Sequence, residues 1–471
     1  MNLGKKTKIV CTIGPATEKE ETLSELVEAG MNVMRLNFSH GSFEEHQARV
    51  ESIRSIMKKS GKPVAILQDL CGPKIRIGTF KEKMVLLHEG QEFILTTDEV
   101  EGDEHKVHVN YDALPREVKP GTKIMLQDGT KTLEVKEVKG NDIITKVLVG
   151  GHLSNHKGVN VPGAHLSVSS LTDKDREDVK FGIKNNLDFI AMSFVRKAAD
   201  IVELRKILDE ANSNAQIIAK IETPEALADI DAIIEVTDAV MIARGDLAIE
   251  IPAEEVPIVQ KLIIHKCNSV GKPVITATQM LESMIKSPVP TRAEVSDIAN
   301  AIIDGTDAIM LSEETTLGDF PVEAVKIMTR IALRVENEVY TRDTIAEYDA
   351  SHGVTDVVSQ SAVRAAHNVG AKLIVALTRS GKTARMIARY RPAEPIMALS
   401  DASGNANKLT LSFGCYPFVA QTFKTVDEIL KIARSITVEN GLANIGDKIV
   451  IVAGMPFGSS NETNFILVET L

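Results

Sequence analysis

The sequence has no run of about 18 apolar residues, the length that spans a bilayer as a helix, so no membrane-spanning segment is predicted. Its four cysteines lie far apart without a CxxC pair, which favours reduced thiols over a disulfide framework or a zinc site. The apolar run after Lys5 and Lys6 is only a few residues long, so we do not predict a signal peptide. These absences favour a cytoplasmic protein.

Basic residues are also fewer than acidic residues. The 54 lysine and arginine residues stand against 65 aspartate and glutamate residues, and the formal net charge is −11. This balance argues against nucleic acid or an anionic membrane as the main partner, so an anionic ligand requires a local basic cluster. The chain does have length: its 471 residues exceed the roughly 250 to 300 that one hydrophobic core supports. We therefore expect two or three domains.

Short apolar runs recur along the first two thirds of the chain and predict eight strands. Their near-continuous hydrophobicity is typical of strands buried on both faces in a parallel sheet. Most are separated by stretches with apolar residues at helical spacing, as at Leu23, Leu26 and Val27. The alternation predicts an α/β fold, a (β/α)₈ TIM barrel. The predicted strands are residues 8–13, 32–38, 64–69, 188–194, 216–222, 239–246, 273–279 and 308–314.

One connection interrupts the alternation of strands and helices, because about a hundred residues separate the third predicted strand from its helix. They contain turn pairs such as Asp128-Gly129 and short β-rich runs at residues 93–97, 106–109, 123–126, 132–138 and 143–149. We predict an inserted β-barrel domain that acts as a lid over the face where active sites of this fold lie. A later series of elements predicts an open α/β domain, with helices at 354–369, from 383 and at 426–436, and strands at 372–378, 395–400, 448–453 and 465–469. The predicted boundaries are 1–70 with 171–340 for the barrel, 71–170 for the lid, and 341–471 for the C-terminal domain.

Polar side chains fall at the ends of the predicted strands. At the carboxyl ends of barrel strands, charged residues are typical of catalysis, although strand ends are polar in many proteins and a rim of ion pairs is the alternative. A whole ring converging on one mouth favours a site. The ring comprises Arg35 and Asn37, Asp69, Ser193 and Arg196, Lys220 and Glu222, Arg244 and Asp246, Thr278 and Gln279, and Ser312 and Glu314.

Glu222 and Asp246 follow neighbouring strands and are placed to share a divalent cation such as Mg²⁺, which prefers oxygen ligands. A metal with a highly charged anion favours phosphoryl transfer, which is mostly positioning and charge neutralisation. Two alternatives remain open: a metal-dependent aldolase or lyase, which needs neither a lid nor a lysine beside the glutamate, and an inactive homologue that senses phosphosugars. The basic groups at this mouth are Arg35, Arg76, Lys220 and Arg244.

Six motifs, spread in order along the chain, resemble those of pyruvate kinases. The lid-length insertion also lies where that family carries its lid. The resemblance implies transfer of a phosphoryl group between phosphoenolpyruvate and ADP, giving pyruvate and ATP, by a homotetramer. The motifs are residues 7–15 (TKIVCTIGP), 34–41 (MRLNFSHG), 217–222 (IIAKIE), 243–247 (ARGDL), 278–284 (TQMLESM) and 290–294 (PTRAE).

The resemblance also implies roles for individual residues. Lys220 neutralises the negative charge on the phosphoryl group during its transfer. Arg35 and Arg76 bind phosphates, and Thr278 lies near the enolate carbon. Glu222 and Asp246 hold Mg²⁺ or Mn²⁺, and the backbone N–H groups of Gly245 and Asp246 bind the substrate carboxylate. Ser312 and Glu314 belong to the proton route. Residues that complete the substrate and nucleotide sites are Asn37, His40, Ala243 and Arg244.

The chain departs from the family pattern near its third strand. Many members have threonine, lysine and glutamate where this chain has Leu70, Cys71 and Lys74, and that glutamate marks a potassium-requiring branch. We predict that the Lys74 ammonium replaces potassium, so that K⁺ is not required; the alternative is that Lys74 points to solvent. A remnant of the monovalent-cation site is expected at the side chains of Asn37, Ser39 and Asp69 and the carbonyl of Leu70.

A small-residue loop opens a helix in the C-terminal domain. It is similar to the end of a Walker A loop, but Ala376 occupies the place of the first glycine, so that interpretation fails. The loop resembles the family's phosphate pocket for an allosteric effector, completed by residues 454–460; the alternative is a plain helix N-terminus. The predicted effector residues are Thr378, Arg379, Ser380, Gly381, Lys382 and Thr383.

Overall fold

The computed structural model describes residues 3–164, 166–340, 353–400, 403–420, 425–456 and 462–471. The first stretch alternates strands with helices. Helix α2 begins with a reciprocal capping box between Ser42 and Glu45 and ends at Gly61 in the left-handed conformation, so both of its ends are encoded locally. The elements are β1 (Lys8–Thr12), α1 (Glu20–Ala29), β2 (Val33–Asn37), α2 (Phe43–Ser60) and β3 (Ala65–Asp69).

The inserted segment folds into a six-stranded and a two-stranded sheet, which share one apolar core. Its entry is tight: Gly72 has φ +66°, and a Cβ there would lie 2.9 Å from Ser193 Cβ. The elements are β4 (Met84–Leu87), β5 (Glu92–Thr96), β6 (Lys106–His108), α3 (Leu114–Glu117), β7 (Lys123–Leu126), β8 (Lys131–Lys139), β9 (Asp142–Val149), β10 (Gly151–Ser154) and β11 (Val159–Asn160).

After the insertion the chain returns to the strand–helix alternation. The returning helix α4 is fixed at its start by a capping box between Thr172 and Asp175. The elements are α4 (Asp173–Lys184), β12 (Phe189–Met192), α5 (Ala198–Glu210), β13 (Gln216–Ile221), α6 (Pro224–Ala228), α7 (Ile230–Val236), β14 (Ala239–Ala243), α8 (Arg244–Glu250), α9 (Val256–Ser269), β15 (Val274–Ala277), α10 (Arg292–Ile303), β16 (Ala308–Leu311), α11 (Glu313–Thr316) and α12 (Pro321–Val339).

Eight strands close into a barrel in the order β1-β16-β15-β14-β13-β12-β3-β2, and every neighbouring pair is parallel. The predicted (β/α)₈ barrel is therefore confirmed. Its strands are buried almost throughout because the interior side chains pack inside the ring and the helices cover the outside. All eight carboxyl ends consequently open at one mouth, next to the inserted segment.

The C-terminal part is an open sheet in the order β19-β18-β17-β20-β21, parallel except for its last strand. The predicted α/β domain is confirmed as well. The elements are α13 (Val354–Val369), β17 (Leu373–Leu377), α14 (Lys382–Ala388), β18 (Ile396–Ser400), α15 (Ser403–Ala406), β19 (Cys415–Val419), α16 (Val426–Glu439), β20 (Lys448–Ala453) and β21 (Phe465–Thr470).

One side chain of the C-terminal part lies in the barrel interior. Leu411, at the end of a 3₁₀ turn before β19, is fully buried. Two contacts fix this segment beside the amino ends of the strands: Phe413 N donates to Asp307 Oδ1 at 2.9 Å, and Lys8 Nζ donates to the Cys415 carbonyl at 2.6 Å. Leu411 therefore completes the base of the barrel core. It packs with a layer that includes Val10, Val33, Leu67, Phe189, Ile218, Met241, Ile275 and Met310.

Leu411→Ala is expected to destabilise the protein by about 2 to 5 kcal/mol, because it removes buried methyl groups and leaves a cavity at the barrel base. The measurement is the thermal midpoint together with the urea midpoint. Leu86→Ala, at a side chain that is 44% exposed on the inserted segment, is the matched control and should shift neither midpoint by much. Equal shifts for the two variants would contradict the interior placement of Leu411.

Candidate active site

The carboxyl ends of β2, β3 and β13 bring three charged side chains together. Arg35 Nε donates to Asp69 Oδ2 at 2.7 Å, and Arg35 Nη1 donates to the Thr12 hydroxyl at 2.7 Å. Lys220 Nζ lies 3.2 Å from the other oxygen of Asp69. Burial raises the pKa of Asp69, but Lys220 and Arg35 outweigh it and hold the pKa below its usual value. One ionised carboxylate thus fixes two cations at the mouth.

Lys220 has two further oxygen contacts. Its Nζ lies 3.0 Å from Glu222 Oε1 and donates to Ser193 Oγ at 2.7 Å. Burial lowers the pKa of Lys220, but the carboxylates of Asp69 and Glu222 outweigh it and raise the pKa above its ordinary value. Lys220 therefore remains a cation at neutral pH, buried but held at the barrel mouth.

Glu222 and Asp246 follow the neighbouring strands β13 and β14, close enough for their charges to interact. Burial raises the pKa of Glu222; Lys220 lowers it, Asp246 raises it again, and the net shift is upward. The other oxygen of Glu222 accepts from Phe194 N at 2.7 Å. Repulsion between two nearby carboxylates is what a divalent cation relieves, and oxygen donors suit Mg²⁺ or Mn²⁺. The pair therefore fits such an ion.

The protein supplies few ligands for this ion. Within the described ranges, no group of three or more histidine, cysteine, aspartate or glutamate side chains is placed to hold a metal. Mg²⁺ is often held by one or two carboxylates, with its other positions taken by water and substrate oxygens. A two-carboxylate site at the mouth therefore suits an ion that binds together with a phosphorylated substrate.

Thr278 follows β15 in a conformation that is rare for a β-branched residue. Its φ is +71° and that of Gln279 is +53°. Such left-handed backbone costs about 1 to 3 kcal/mol per residue and persists where the surroundings over-determine it, often at functional sites. The Thr278 hydroxyl accepts from Gly245 N at 2.8 Å and donates to the Ala277 carbonyl at 2.6 Å. Its oxygen is thereby held beside the start of α8.

Arg244, one of the four basic groups predicted at the mouth, turns away from the anion site. Its guanidinium forms a two-pronged ion pair with Asp297 on α10, with N–O distances of 2.7 and 2.8 Å. It also donates to the carbonyls of Ala277 at 3.2 Å and Thr278 at 2.8 Å. The charge of Arg244 is thus already matched within the barrel rim.

Glu314 lies beneath the mouth, with both oxygens bonded to backbone. Oε2 accepts from Ser312 N at 2.7 Å and Oε1 accepts from Leu281 N at 3.0 Å. Burial raises the pKa of Glu314 above its usual value. The side chain ties the end of β16 to the loop that carries Thr278, so the predicted pair Ser312 and Glu314 lies at the site.

Cations from the entry of the inserted segment converge above β2. Burial lowers the pKa of His40, and the charges of Arg76, Lys74 and Arg35 lower it further. Arg76 donates from Nη1 to the His156 carbonyl at 3.0 Å, and Lys74 Nζ lies 3.8 Å from Asp246 Oδ1. Lys74 therefore faces the candidate metal carboxylate.

The groups predicted for a monovalent cation cluster at the ends of β2 and β3, where Asn37 and Asp69 pair in register. Asn37 Oδ1 accepts from Ser39 N at 3.1 Å, and the Leu70 carbonyl accepts from Ser193 Oγ at 2.7 Å. The carboxylate of Asp69 already forms ion pairs with Arg35 and Lys220. The set is therefore close together, and several of its oxygens already have protein donors.

A cavity of about 180 Å³ lies between the inserted segment and the barrel. Arg196 donates to the carbonyls of Leu166 and Val168, which fastens the return of the insertion to the barrel. Asn160 Nδ2 donates to Glu250 Oε1 at 3.0 Å across the same gap. The insertion is thus bound to the barrel beside the mouth, where the sequence predicted a lid.

The predicted effector loop joins β17 to α14. Gly381 has φ +85°, and Thr383 Oγ1 lies 2.9 Å from Thr463 Oγ1. Asn405 Nδ2 donates to the Arg379 carbonyl at 2.9 Å. The second loop of this predicted pocket lies only partly within the described residues, because 457–460 fall outside them.

The sequence analysis did not identify three members of this site. Thr12, whose hydroxyl accepts from Arg35, ends the first strand, so its position at a strand end could have revealed it. Phe194, whose N–H bonds Glu222, also adopts a positive φ of +52°, which the sequence does not show. Asp297 lies within a regular helix, so its pairing with Arg244 has no local signal.

The fold and the site together define a class: a TIM-barrel phosphotransferase with a buried lysine, an arginine and carboxylates gathered at the barrel mouth. The chain belongs to the pyruvate kinase family. Residues 4–325 match the family's barrel domain and residues 356–469 match its alpha/beta domain.

Known relatives agree with this assignment. The chain is 49% identical over 472 residues to a pyruvate kinase of Geobacillus stearothermophilus, covering 99% of this chain and 80% of that protein. It is 49% identical to a pyruvate kinase of Bacillus licheniformis, covering 98% and 80%, and 46% identical to one of Staphylococcus aureus, covering 99% and 80%. Separately, no helix in the described ranges has the length and apolarity needed to cross a membrane.

Proposed function

We propose that this chain transfers the phosphoryl group of phosphoenolpyruvate to ADP, giving pyruvate and ATP, as the last step of glycolysis. The supporting observation is Lys220, a buried cation held between Asp69 and Glu222 and next to Arg35. A coupled assay of pyruvate formation from phosphoenolpyruvate and ADP with Mg²⁺ tests it. An aldolase or lyase would form no pyruvate from phosphoenolpyruvate but would act on pyruvate or oxaloacetate without ADP, and an inactive sensor would act on neither.

Three cations would receive the transferred group. Lys220 is fixed by carboxylates before substrate arrives, so its charge is available without reorganisation when negative charge spreads over the phosphoryl oxygens. Arg35 is held equally firmly through Asp69. Arg76, on the inserted segment, would bind phosphate from above. Asn37 and His40 at the end of β2 and Ala243 at the end of β14 would complete the substrate and nucleotide sites.

Glu222 and Asp246 would hold the Mg²⁺ or Mn²⁺. The ion supplies charge neutralisation to substrate phosphate and carboxylate oxygens when bound. We also propose that the backbone N–H groups at the start of α8 bind the substrate carboxylate. Asp246 N is the better placed of the two, since Gly245 N already donates to Thr278 Oγ1. In this arrangement Arg244 takes no part through its charge.

Thr278 would lie beside the enolate carbon that becomes the methyl group of pyruvate. Its hydroxyl has a fixed position and one proton, now given to a backbone carbonyl. Ser312 and Glu314 would continue the proton route below it. Support for this proposal comes from Glu314, which lies beneath the same loop and whose pKa is raised by burial.

We propose that the segment 71–170 closes as a lid over this mouth, on a barrel formed by 1–70 and 171–340, with 341–471 as the regulatory domain. The bonds from Arg196 and from Asn160 to Glu250 support a lid that docks on the barrel. Closure would exclude water from the transferring group. We further propose a cytoplasmic enzyme.

The potassium requirement is proposed to be absent. Lys74 lies 3.8 Å from Asp246 and acts on the pKa of His40, so its ammonium is near the phosphate-binding cations and the candidate metal site. Its side chain is 29% exposed, which favours a role in the mouth over a side chain extended into solvent. The oxygens of Asn37, Ser39, Asp69 and Leu70 would then be the remnant of a potassium site.

We propose a homotetramer, which would require apolar surface for subunit contacts. Helix α9 carries such side chains in the described structure: Ile258 is 67% exposed and Leu262 is 50% exposed. Apolar groups of this size on one outer face of a helix are typical of an interface. Sedimentation or light scattering measures the subunit number directly.

A phosphorylated metabolite is proposed to activate the enzyme by binding the loop from Thr378 to Thr383. Ser380→Asp places a negative charge in that loop and is expected to abolish activation, because the effector's coupling of about 1 to 3 kcal/mol depends on binding there. The measurement is activation by a panel of sugar phosphates and AMP at subsaturating phosphoenolpyruvate. Ser435→Asp, on the exposed face of α16, is the control. Activation that survives in the Ser380 variant would place the effector elsewhere.

A further inference from the structure

Arg244 reaches from one barrel strand to the loop of the next. It begins α8 after β14, and its side chain lies along the rim toward the end of β15. Nε donates to the Ala277 carbonyl at 3.2 Å and Nη2 to the Thr278 carbonyl at 2.8 Å. The guanidinium therefore fixes the two peptide groups that flank the Thr278 side chain.

The backbone at this point needs such support. Thr278 and Gln279 are consecutive residues with positive φ, a conformation that a β-branched residue adopts only under constraint. Gly245 N adds a bond to Thr278 Oγ1 at 2.8 Å, and Glu314 holds Leu281 N farther along the same loop at 3.0 Å. The Arg244 bonds are the part of this network that acts on both carbonyls at once.

Asp297 completes the arrangement from α10. Its two oxygens accept from Nη1 and Nη2 of Arg244 at 2.7 and 2.8 Å, the parallel geometry in which a carboxylate orients a guanidinium best. Nη1 also donates to Gln260 Oε1 at 3.3 Å. Because Nη1, Nη2 and Nε of Arg244 all have acceptors, the guanidinium is fixed in orientation, and its charge is balanced by Asp297.

We propose that Arg244 and Asp297 are positioning residues for Thr278: the ion pair clamps the strained loop so that the threonine hydroxyl lies where the enolate carbon is protonated. This inference rests on the proposed role of Thr278. It assigns the Arg244–Asp297 ion pair to the protonation of the enolate and not to phosphoryl transfer. Loss of the clamp displaces a proton donor, whereas Lys220 and Arg35, on other strands, keep their contacts with the phosphoryl group.

The test separates the two halves of the reaction in the full-length protein. Phosphoryl transfer is followed as ATP formed in a single turnover by rapid quenching. Protonation is followed as solvent deuterium entering the methyl group of pyruvate in the presence of Mg²⁺ and ATP. The variants are Asp297→Asn, which keeps the shape but removes the charge, and Arg244→Lys, which keeps the charge but removes the fork.

Both variants are expected to slow deuterium incorporation by about 10- to 100-fold, the cost of a small misplacement of a catalytic group. Single-turnover ATP formation should stay within a few-fold of the native rate, and the KM for phosphoenolpyruvate should change little. Asp231→Asn, on α7 and paired with Lys266 of α9, is the matched control and should change neither rate. Equal losses in both half-reactions, or none in either, would overturn the inference.

Thr278→Ala distinguishes this failure from failure of the proposed function. If Thr278→Ala abolishes deuterium incorporation while Asp297→Asn and Arg244→Lys leave it unchanged, the clamp is wrong and the role of Thr278 stands. If Thr278→Ala leaves incorporation at the native rate, the role of Thr278 is wrong, and the clamp falls with it. Thermal midpoints for each variant show that the folded state is being compared.

Discussion

Lys220→Met is expected to lower kcat by about 10³- to 10⁵-fold, the range found for a single cation that stabilises a transferring phosphoryl group. Lys220 Nζ is fixed 3.2 Å from Asp69 and 3.0 Å from Glu222. The neighbouring cation, Arg35, is itself held by Asp69 and Thr12 and is therefore not free to replace it. The KM for phosphoenolpyruvate should change little, because the charge acts mainly in the transition state. Steady-state kinetics in saturating Mg²⁺ measures both.

The variant also leaves two buried carboxylates without their shared cation, so its thermal midpoint must be measured alongside its turnover. Lys59→Met, which removes an ion-paired lysine from the exposed face of α2, is the control and should retain native turnover. A folded Lys220→Met protein with more than a tenth of native turnover would contradict the assignment. That threshold lies far above the expected residual rate.

Lys74→Glu is expected to create a potassium requirement, because we propose that the native ammonium takes the place of the ion. A unit charge about 4 Å from another contributes about 4 kcal/mol at an effective dielectric constant near 20, which is roughly a thousandfold in rate. A fixed ammonium and a bound K⁺ carry the same charge, so either one is sufficient. The native protein should therefore turn over equally fast in KCl and in a tetraalkylammonium chloride of equal ionic strength.

The variant should be active in KCl and slower by up to that factor in the tetraalkylammonium salt. Lys119→Glu makes the same charge change on an exposed part of the inserted segment and should not create a potassium requirement. A native enzyme that loses most of its activity without potassium would refute the proposal. So would a Lys74→Glu protein that is indifferent to the salt.

The barrel was predictable because buried parallel strands leave a local trace, a short apolar run that ends in polar residues. The strands of the inserted segment were harder to predict. Three were not predicted, because each is short and pairs with a strand far away in the sequence, so no hairpin turn marks it: β4 (Met84–Leu87), β10 (Gly151–Ser154) and β11 (Val159–Asn160). Strand β19 was also missed. It carries Pro417 on the edge of its sheet, where proline is tolerated but obscures the strand pattern.

The candidate site, too, was only partly predictable from the sequence. The motifs named Arg35, Lys220 and Glu222, and the structure brings them together: Asp69 joins Arg35 to Lys220, and Lys220 contacts Glu222. The sequence gives residue types at strand ends, but it does not give the direction of a side chain. Arg244 therefore counted as one more cation at the mouth, whereas its guanidinium faces Asp297, 53 residues farther along the chain.

The burial of Leu411 within the barrel base bears on how the chain folds during synthesis. All eight barrel strands have been made by residue 311, yet the side chain that closes their lower layer is added a hundred residues later. A nascent barrel therefore keeps an open apolar base until the C-terminal domain emerges, and such surface is aggregation-prone. A chain interrupted before Leu411 should be a substrate for chaperones and proteases, and not a free catalytic domain.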